Sequence, residues 1–371
     1  MAGSLRLVDL VQERIDDFLA RRSDQLGEIS GDLIDLVSAS SDLLRGGKRF
    51  RALFCYWGWQ SVAGSPRDGQ EVPAVGADDL GPVVAVSAAL ELFHAAALVH
   101  DDIMDDSDRR RGMPSMHRRF EALHRERGML GDSERYGRSA ALLLGDLLLG
   151  WSDELLDLGL ARVPDADARA ARAEFVRMRS EVTAGQHLDV LEEGSWREHD
   201  DQEQLRRAHR VILYKSAKYS VEAPLVIGAA LAGADTAQLL ALRGYGVPLG
   251  VAFQLRDDLL GVFGDPAVTG KPAGDDLREG KRTVLIALAR RELPATAVRL
   301  LDELLGDREL DESQVAMLQR TLRDSGAVDR VEELIARDVD RAVGALGGAR
   351  ISGSARAELG RLADAVTRRQ R

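Results

Sequence analysis

Two aspartate-rich clusters, each at the end of a strongly apolar and helix-like stretch, constrain this chain most. The first is the run His100–Asp108, and the second is the pair Asp257 and Asp258. Carboxylates crowded at the edge of a hydrophobic core are costly unless a cation neutralises them. The nearby ligands are almost all oxygen, which favours Mg²⁺ over zinc. Because Mg²⁺ held by a few carboxylates usually binds phosphate oxygens as well, the pattern predicts an enzyme that handles diphosphates above an apolar pocket.

The composition predicts a mostly helical protein. The 371 residues are 45% hydrophobic and 30% charged, and runs of β-branched residues are scarce. The formal net charge of −11 argues against nucleic acid as a partner. The single cysteine, Cys55, excludes an internal disulfide. Since it lies in the apolar run Ala52–Trp57, we expect a buried small side chain rather than a catalytic thiol.

No segment is expected to enter a membrane stably. The first residues, Met1–Arg6, lack the apolar core of a signal peptide. The longest weakly charged run, Val83–His100, contains Glu91 and His94 and is therefore interpreted as a buried core helix. These features predict a cytoplasmic protein.

The chain is expected to form a single domain over residues 1–371, an all-α fold built as one large helical bundle. Apolar residues recur at helical spacing from residue 7 onward, and no shift in composition marks a domain boundary. Three polar segments rich in glycine are predicted as loops: 62–81, 124–138 and 264–282. Pro82 is well placed to begin the helix that leads to the first acidic cluster.

The first acidic cluster has the spacing of a metal chelate. In a helix Asp101 and Asp105 are four residues apart on one face, where a divalent ion would turn their repulsion into coordination. Asp102 points about a quarter-turn away. The alternative is a solvated acidic helix end that pairs with Arg109–Arg111. The second pair, Asp257 and Asp258, is a weaker signal by itself, but the recurrence of the same arrangement favours a metal site.

Several basic residues have the chemistry to bind phosphate, and each also has a simpler interpretation. Arg110 and Arg111 follow the first cluster, and arginine pairs with phosphate in a bidentate fork. Lys48 and Arg51 are predicted to share a helix face behind Gly46 and Gly47. The competing interpretations are an ordinary helix start for Lys48 and Arg51 and, for Lys215, a lysine whose apolar stem is buried. The lysines in the loop of 264–282 would be solvated, and His94 would be a hydrogen-bonded core histidine.

Taken together, these residues resemble the all-trans isoprenyl (polyprenyl) diphosphate synthase family, and most of all the bacterial geranylgeranyl diphosphate synthases. The resemblance covers nearly the whole chain from Leu43 onward. Its motifs are Gly46–Arg51, Glu91–His94, His100–Asp105 with Arg110–Gly112, Gly145-Asp146, Lys215-Ser216, Phe253–Asp258 and Gly280–Thr283.

The resemblance implies an isoprenoid-synthase bundle around a central cavity, a homodimer, and head-to-tail prenyl transfer from an allylic diphosphate (dimethylallyl, geranyl or farnesyl) to isopentenyl diphosphate. It implies Mg²⁺ ligands at Asp101, Asp105 and Asp257, which with Lys215 are the catalytic residues. Isopentenyl diphosphate would bind Lys48, Arg51, His94 and Arg111, and Arg110 would bind the allylic diphosphate. The diphosphate or carbocation side would be lined by Lys215, Ser216, Gln254, Lys271 and Lys281.

One position departs from the family pattern. The second motif is often Asp-Asp-x-x-Asp, but residue 261 is glycine here. The ligand set at that motif therefore stays open.

Two alternative functions are a class I terpene cyclase and a non-catalytic subunit of a heteromeric synthase. The presence of Lys48, Arg51 and Arg111 argues against a cyclase, and the intact first motif argues against a non-catalytic subunit.

The length of the product is expected to depend on the helix before Asp101. In the family, a bulky residue four or five positions before the first aspartate gives fifteen-carbon products, and here these positions are Ala97 and Ala96. Phe93 lies three residues before Ala96, about 4.5 Å of helix rise, which is on the order of one isoprene unit. If Phe93 forms the floor that stops the growing chain, the predicted product is geranylgeranyl diphosphate. A farnesyl product, or chains of 25 carbons and more if Phe93 turns into the core, are the alternatives.

Overall fold

The fold is all-α, as the composition predicts. The structure is a computed structural model and describes residues 2–64, 80–110, 112–265 and 274–367. The first ten helices are α1 (Ala2–Ile29), α2 (Ile34–Leu44), α3 (Phe50–Ala63), α4 (Gly81–Met104), α5 (Met116–Glu126), α6 (Ser133–Leu160), α7 (Asp165–Ser195), α8 (Asp201–Val211), α9 (Ala223–Leu231) and α10 (Thr236–Phe263). They are followed by α11 (Asp275–Glu279), α12 (Val284–Glu292), α13 (Ala295–Leu304), α14 (Glu312–Asp324), α15 (Ala327–Ala345) and α16 (Gly353–Thr367).

Shorter elements connect these helices. Within the described residues, 3₁₀ turns span Gly31–Leu33 and Trp196–Glu198, and a π-helical stretch, Ile212–Glu222, joins α8 to α9. Two antiparallel strands, Arg109–Arg110 and Met113–Pro114, form a hairpin in which Arg110 pairs with Met113. This hairpin directly follows the first acidic cluster and fixes the position of Arg110.

Contacts divide the chain into two compact units, and the single-domain organisation stays a prediction. The first unit comprises Met1–Glu174, Pro224–Asp235 and Ile351–Ala355. Its core forms around α4, whose side chains from Val83 to Phe93 are all buried. Cys55 is completely buried beside this helix, and burial raises the pKa of its thiol to about 12, as expected for a packing residue.

The second unit comprises Phe175–Ala223, Thr236–Arg350 and Arg356–Arg371. Its hydrophobic core joins α10 to the helices that follow it, with Leu255 and Leu259 of α10 packed in one cluster with Leu277 of α11 and Leu318 of α14. Burying such a cluster is the main stabilising contribution to a unit of this kind.

The apolar helix before the first acidic cluster is a core helix. Among helices of the described residues, α4 is long and apolar enough to cross a membrane, but 78% of its apolar window is buried inside the protein. Pro82 lies in its first turn, as predicted.

Two expectations about loops need correction. The segment 124–138 is mostly helical, because α5 extends to Glu126 and α6 begins at Ser133. Asp132 caps α6, its side chain accepting hydrogen bonds from the amides of Glu134 and Arg135, so the polar composition marked a helix start. The segment 264–282 contains the short helix α11, although its residues 266–273 and most of the predicted loop 62–81 lie outside the described residues.

Candidate active site

The first acidic motif lies at the carboxyl end of α4. Asp101 and Asp102 belong to the last turn, and Asp105 is the C-cap residue, whose amide donates to the Asp101 carbonyl at 2.8 Å. The helical geometry therefore continues to Asp105, as the four-residue spacing requires for Asp101 and Asp105 to share a face. Asp102 and Asp105 are buried, and Asp101 is half-buried.

An arginine partly neutralises this motif. The Arg110 Nε donates to Asp102 Oδ1 at 2.9 Å, and its Nη2 lies 3.4 Å from Asp101 Oδ2. Asp106 and Asp108 instead pair with Arg138 and Arg118. Pairing with the arginine run, which the alternative of a solvated helix end predicted, is thus present for Arg110, while Arg111 lies outside the described residues.

Lys48 and Arg51 do not share a helix face, contrary to the sequence expectation. Gly46 and Gly47 have φ angles of 76° and 88°, and Arg49 has a φ of 49°, so the chain makes a left-handed turn before α3 begins at Phe50. Lys48 thus stands exposed on the turn, and Arg51 lies half-buried in the first turn of α3.

A buried ion pair joins this turn to α4 and was missed in the sequence. Arg49 Nη1 lies 3.2 Å from Glu91 Oε2, and the other oxygen of Glu91 accepts from the amide of Ala52 at 3.2 Å. Glu91 precedes His94 by three residues on α4, so the pair fixes the glycine turn next to the helix that carries His94 and the acidic motif. The sequence signal for this ion pair is that Arg49 directly follows Lys48 and that Glu91 lies one helical turn before His94.

The predicted chain-length residues differ in burial. Ala96 is completely buried and Phe93 is 5% exposed, whereas Ala97 is half-buried like His94 and Asp101. Ala97 lies four residues before Asp101 and therefore on the same face of α4. Of the two alanines, Ala97 is the one whose side chain is partly accessible.

In the second unit, Lys215 and Ser216 lie in the π-helical stretch, a distortion that often marks functional sites. Lys215 Nζ forms an ion pair of 2.5 Å with Asp189 of α7. Sequence reasoning missed Asp189, whose partner becomes apparent only when α7 and the π-helical stretch are packed together. Both Lys215 and Ser216 are half-buried.

The second acidic motif divides into an exposed and a buried carboxylate. Asp257 is exposed on α10, whereas Asp258 is buried and accepts a hydrogen bond from Gln254 Nε2 at 2.8 Å. Burial raises the pKa of Asp258 to about 8, against the opposing effect of the Gln254 hydrogen bond, and Asp276 and Asp257 raise it further. Of the two carboxylates, Asp257 is thus the one on the protein surface, and its role as a metal ligand stays a prediction.

A lysine of the second unit lies beside two carboxylates. Lys281 Nζ lies 3.5 Å from Asp276 Oδ1 and 2.6 Å from Glu279 Oε2. Lys271 lies outside the described residues. Since the carboxylates outnumber the lysine, the oxygen-only donor set suits a hard divalent cation. Within the described residues, no group of three or more histidine, cysteine, aspartate or glutamate side chains is arranged to hold a metal ion by itself.

The buried Asp258 gives a prediction about stability. Because its pKa is raised from 3.8 to about 8 on folding, the folded protein keeps a proton that the unfolded chain loses, and stability falls as the pH rises between these values. In the metal-free protein, Asp258→Asn should raise Tm at pH 9 by roughly 5 °C, the shift expected for about 2 kcal/mol in a domain of this size. At pH 4 the two proteins should melt together.

Calorimetry over this pH range checks the prediction, with Asp340→Asn as the control because Asp340 is an exposed carboxylate. An Asp258→Asn gain that is the same at pH 4 and pH 9 would contradict the role of burial in this shift.

Comparison with known proteins shows which family has this sequence and fold. The sequence profile of the polyprenyl synthetase family matches residues 35–322. The chain belongs to this family. The synthase is 30% identical over 334 residues to the geranylfarnesyl diphosphate synthase of Aeropyrum pernix, covering 90% of each chain. It is 32% identical over 260 residues to the geranylgeranyl diphosphate synthase of Sulfolobus acidocaldarius, covering 70% of this chain and 68% of that one.

A solved structure agrees with both the fold and the family. The geranylgeranyl pyrophosphate synthase of Corynebacterium glutamicum, crystallised with isoprenyl diphosphate and magnesium, superposes with a TM-score of 0.89 at 36% identity, covering 98% of this chain and 99% of that one. The predicted all-α bundle of the isoprenoid synthase type is confirmed, and the synthase is a prenyltransferase.

Proposed function

We propose that this synthase condenses isopentenyl diphosphate with an allylic diphosphate to give an all-trans prenyl diphosphate, principally geranylgeranyl diphosphate, with Mg²⁺ as cofactor. The observation that carries the proposal is the first unit, in which a complete acidic motif and the basic residues Lys48, Arg51 and His94 are joined by α4 and its buried ion pair to Arg49. Relatives named as geranylgeranyl synthases support the twenty-carbon product, and the relatives of Aeropyrum pernix and Natronomonas pharaonis are named for the longer geranylfarnesyl diphosphate.

The residues of the first unit have two tasks in this reaction. Lys48, Arg51 and His94 hold the diphosphate of isopentenyl diphosphate by charge-assisted hydrogen bonds. Asp101 and Asp105 hold Mg²⁺, which when bound supplies positive charge to the departing allylic diphosphate. Arg110, already beside Asp101, donates to the same diphosphate as its negative charge develops.

The residues of the second unit have related tasks in the proposed reaction. Lys215 and Lys281 neutralise diphosphate oxygens, and Asp257 is a further metal ligand. The allylic C–O bond breaks, the double bond of isopentenyl diphosphate attacks the carbocation, and a proton leaves to restore a double bond. Inorganic diphosphate is the other product. Apolar side chains of the buried α4 exclude water that would otherwise quench the carbocation.

The proposal also includes the cellular form of the enzyme. We infer a homodimer in the cytoplasm, since the substrates are water-soluble diphosphates and the family generally forms dimers. A class I terpene cyclase would need no site for isopentenyl diphosphate, and the buried support of the Gly46–Arg51 turn favours elongation over cyclisation.

The function is tested by incubating the purified enzyme with radiolabelled isopentenyl diphosphate and each allylic diphosphate in turn. We expect incorporation of label into acid-labile prenyl diphosphate only when the allylic primer and Mg²⁺ are both present, with loss of activity in EDTA. Consumption of an allylic diphosphate to a hydrocarbon without any isopentenyl diphosphate would instead identify a cyclase.

Substitution of Lys48 or Arg51 should weaken the binding of isopentenyl diphosphate more than the binding of the allylic primer. Lys48→Ala or Arg51→Ala is expected to raise KM for isopentenyl diphosphate by about 10-fold or more, the loss of a hydrogen bond to a charged group. The KM for the allylic primer should change little. Arg45→Ala is the matched control, because Arg45 is an exposed arginine just before the same turn. Equal effects on both substrates, or an effect on the allylic primer only, would show that the turn does not bind isopentenyl diphosphate.

A further inference from the structure

The second acidic motif lacks the third aspartate of the usual pattern, and another carboxylate lies in its place. A Cβ atom added to Gly261 would lie 1.9 Å from Asp276 Oδ2 and 2.3 Å from Asp276 Cγ. Real Cβ atoms do not approach so closely. The Asp276 carboxylate therefore fills the space in which the side chain of a residue at position 261 would begin.

This position is on the face of α10 that carries Asp257. Residues 257 and 261 are four apart in one helix, where Cβ atoms are typically about 5–6 Å apart. Asp276, although it comes from α11, thus brings its carboxylate against α10 one helical turn beyond Asp257, and Asp101 and Asp105 of the first motif are likewise one turn apart.

The backbone around Asp276 is fixed from several sides. The next residue, Leu277, is 1% exposed and packs into the core cluster with Leu255 and Leu259 of α10. Its carbonyl accepts from the amide of Gly306 at 2.9 Å. Arg278 Nε donates to the carbonyl of Leu310 at 3.1 Å. The placement of the carboxylate against Gly261 therefore follows from packing in the second unit.

We propose that Asp276 supplies the third carboxylate of the second acidic motif, in the space that Gly261 leaves open. Asp276 acts with Asp257 to hold the divalent cation, directly or through a water ligand. The inference rests on the metal-dependent function proposed above. A chain with glycine at position 261 thereby keeps a third carboxylate at this motif. The carboxylate belongs to Asp276, which comes later in the sequence, on α11.

Metal binding tests the inference without relying on catalysis. Mn²⁺ is titrated into the full-length enzyme saturated with inorganic diphosphate, and free Mn²⁺ is measured by electron paramagnetic resonance. Asp276→Asn and Asp257→Asn should each weaken Mn²⁺ binding by at least about 10-fold, which is within the range for loss of a group that supports a metal. Asp275→Asn, which removes the same charge one residue earlier, should bind like the wild type. Mn²⁺ binding by Asp276→Asn that equals that of Asp275→Asn would overturn the inference.

A swap of the carboxylate between the two positions gives a second test. Gly261→Asp should lower Tm, because the new side chain meets Asp276, and Asp276→Ala should lose Mn²⁺ affinity. The double variant Gly261→Asp with Asp276→Ala should recover affinity to within about 3-fold of wild type, a non-additive result that only a shared role produces. A double variant as weak as Asp276→Ala would contradict the shared role. Prenyl transfer by the wild-type enzyme is measured in parallel, so that failure of this inference is distinguished from failure of the proposed function.

Discussion

Replacement of Asp101 or Asp105 with asparagine is expected to lower turnover by about a thousandfold or more. A neutral amide does not replace a carboxylate ligand of Mg²⁺, and the charge stabilisation that a metal provides is worth several kcal/mol. A loss of about 4 kcal/mol in the transition state corresponds to a factor of about 10³. The measurement is kcat with saturating substrates and saturating Mg²⁺.

The same helix end provides a control. Asp108 is an exposed carboxylate that pairs with Arg118 and lies outside the chelating pair, so Asp108→Asn should keep near-normal turnover. The thermal stability of the metal-free Asp101 and Asp105 variants should be unchanged or raised, because the substitution removes like-charge repulsion. Near-normal turnover in either of these two variants would show that its carboxylate is not a metal ligand.

A single substitution on the face of α4 that carries Asp101 is expected to change the product from twenty to fifteen carbons. Ala97→Phe should have this effect, because Ala97 shares a helix face with Asp101 and is partly accessible, so that a phenyl ring there would end the channel earlier. Ala96→Phe should shorten the product as well, but at a cost in stability, since Ala96 is completely buried and overpacking typically costs about 1–3 kcal/mol. Chromatography of the dephosphorylated products measures the chain length.

Removal of the expected floor should have the opposite effect. Phe93→Ala is expected to extend the main product beyond twenty carbons. Leu92→Ala is the matched control, because Leu92 is completely buried one position away and points in another direction around the helix. If neither Ala97→Phe nor Phe93→Ala changes the product distribution, this part of α4 is not the floor of the channel.

The sequence predicted the helices and the acidic motifs well, because both follow from local patterns. The run before Asp101 is apolar throughout and ends in charge, so its identity as a buried helix needs no tertiary information. Asp101 and Asp105 share a face for the same reason. The segment 124–138 is ambiguous from the sequence, because Asp132, a polar residue between glycines, is typical of a helix cap as well as of a loop.

The features that the sequence did not give depend on contacts between distant segments. The ion pair of Arg49 with Glu91 joins residues 42 positions apart, and that of Lys215 with Asp189 joins residues 26 apart. Likewise, the contact of Asp276 with Gly261 exists only because Leu277 is anchored in the core of the second unit. From the sequence the glycine at 261 was simply a missing ligand, whereas the structure provides a carboxylate in its place.

The most direct test of the account is the stoichiometry and length of the product made by the wild-type enzyme. The enzyme is given dimethylallyl diphosphate, an excess of labelled isopentenyl diphosphate and Mg²⁺, and both prenyl product and released inorganic diphosphate are quantified. The account predicts an all-trans product of twenty carbons, with three isopentenyl units and three diphosphates released per primer. Release of diphosphate from the allylic substrate without incorporation of isopentenyl units would contradict it.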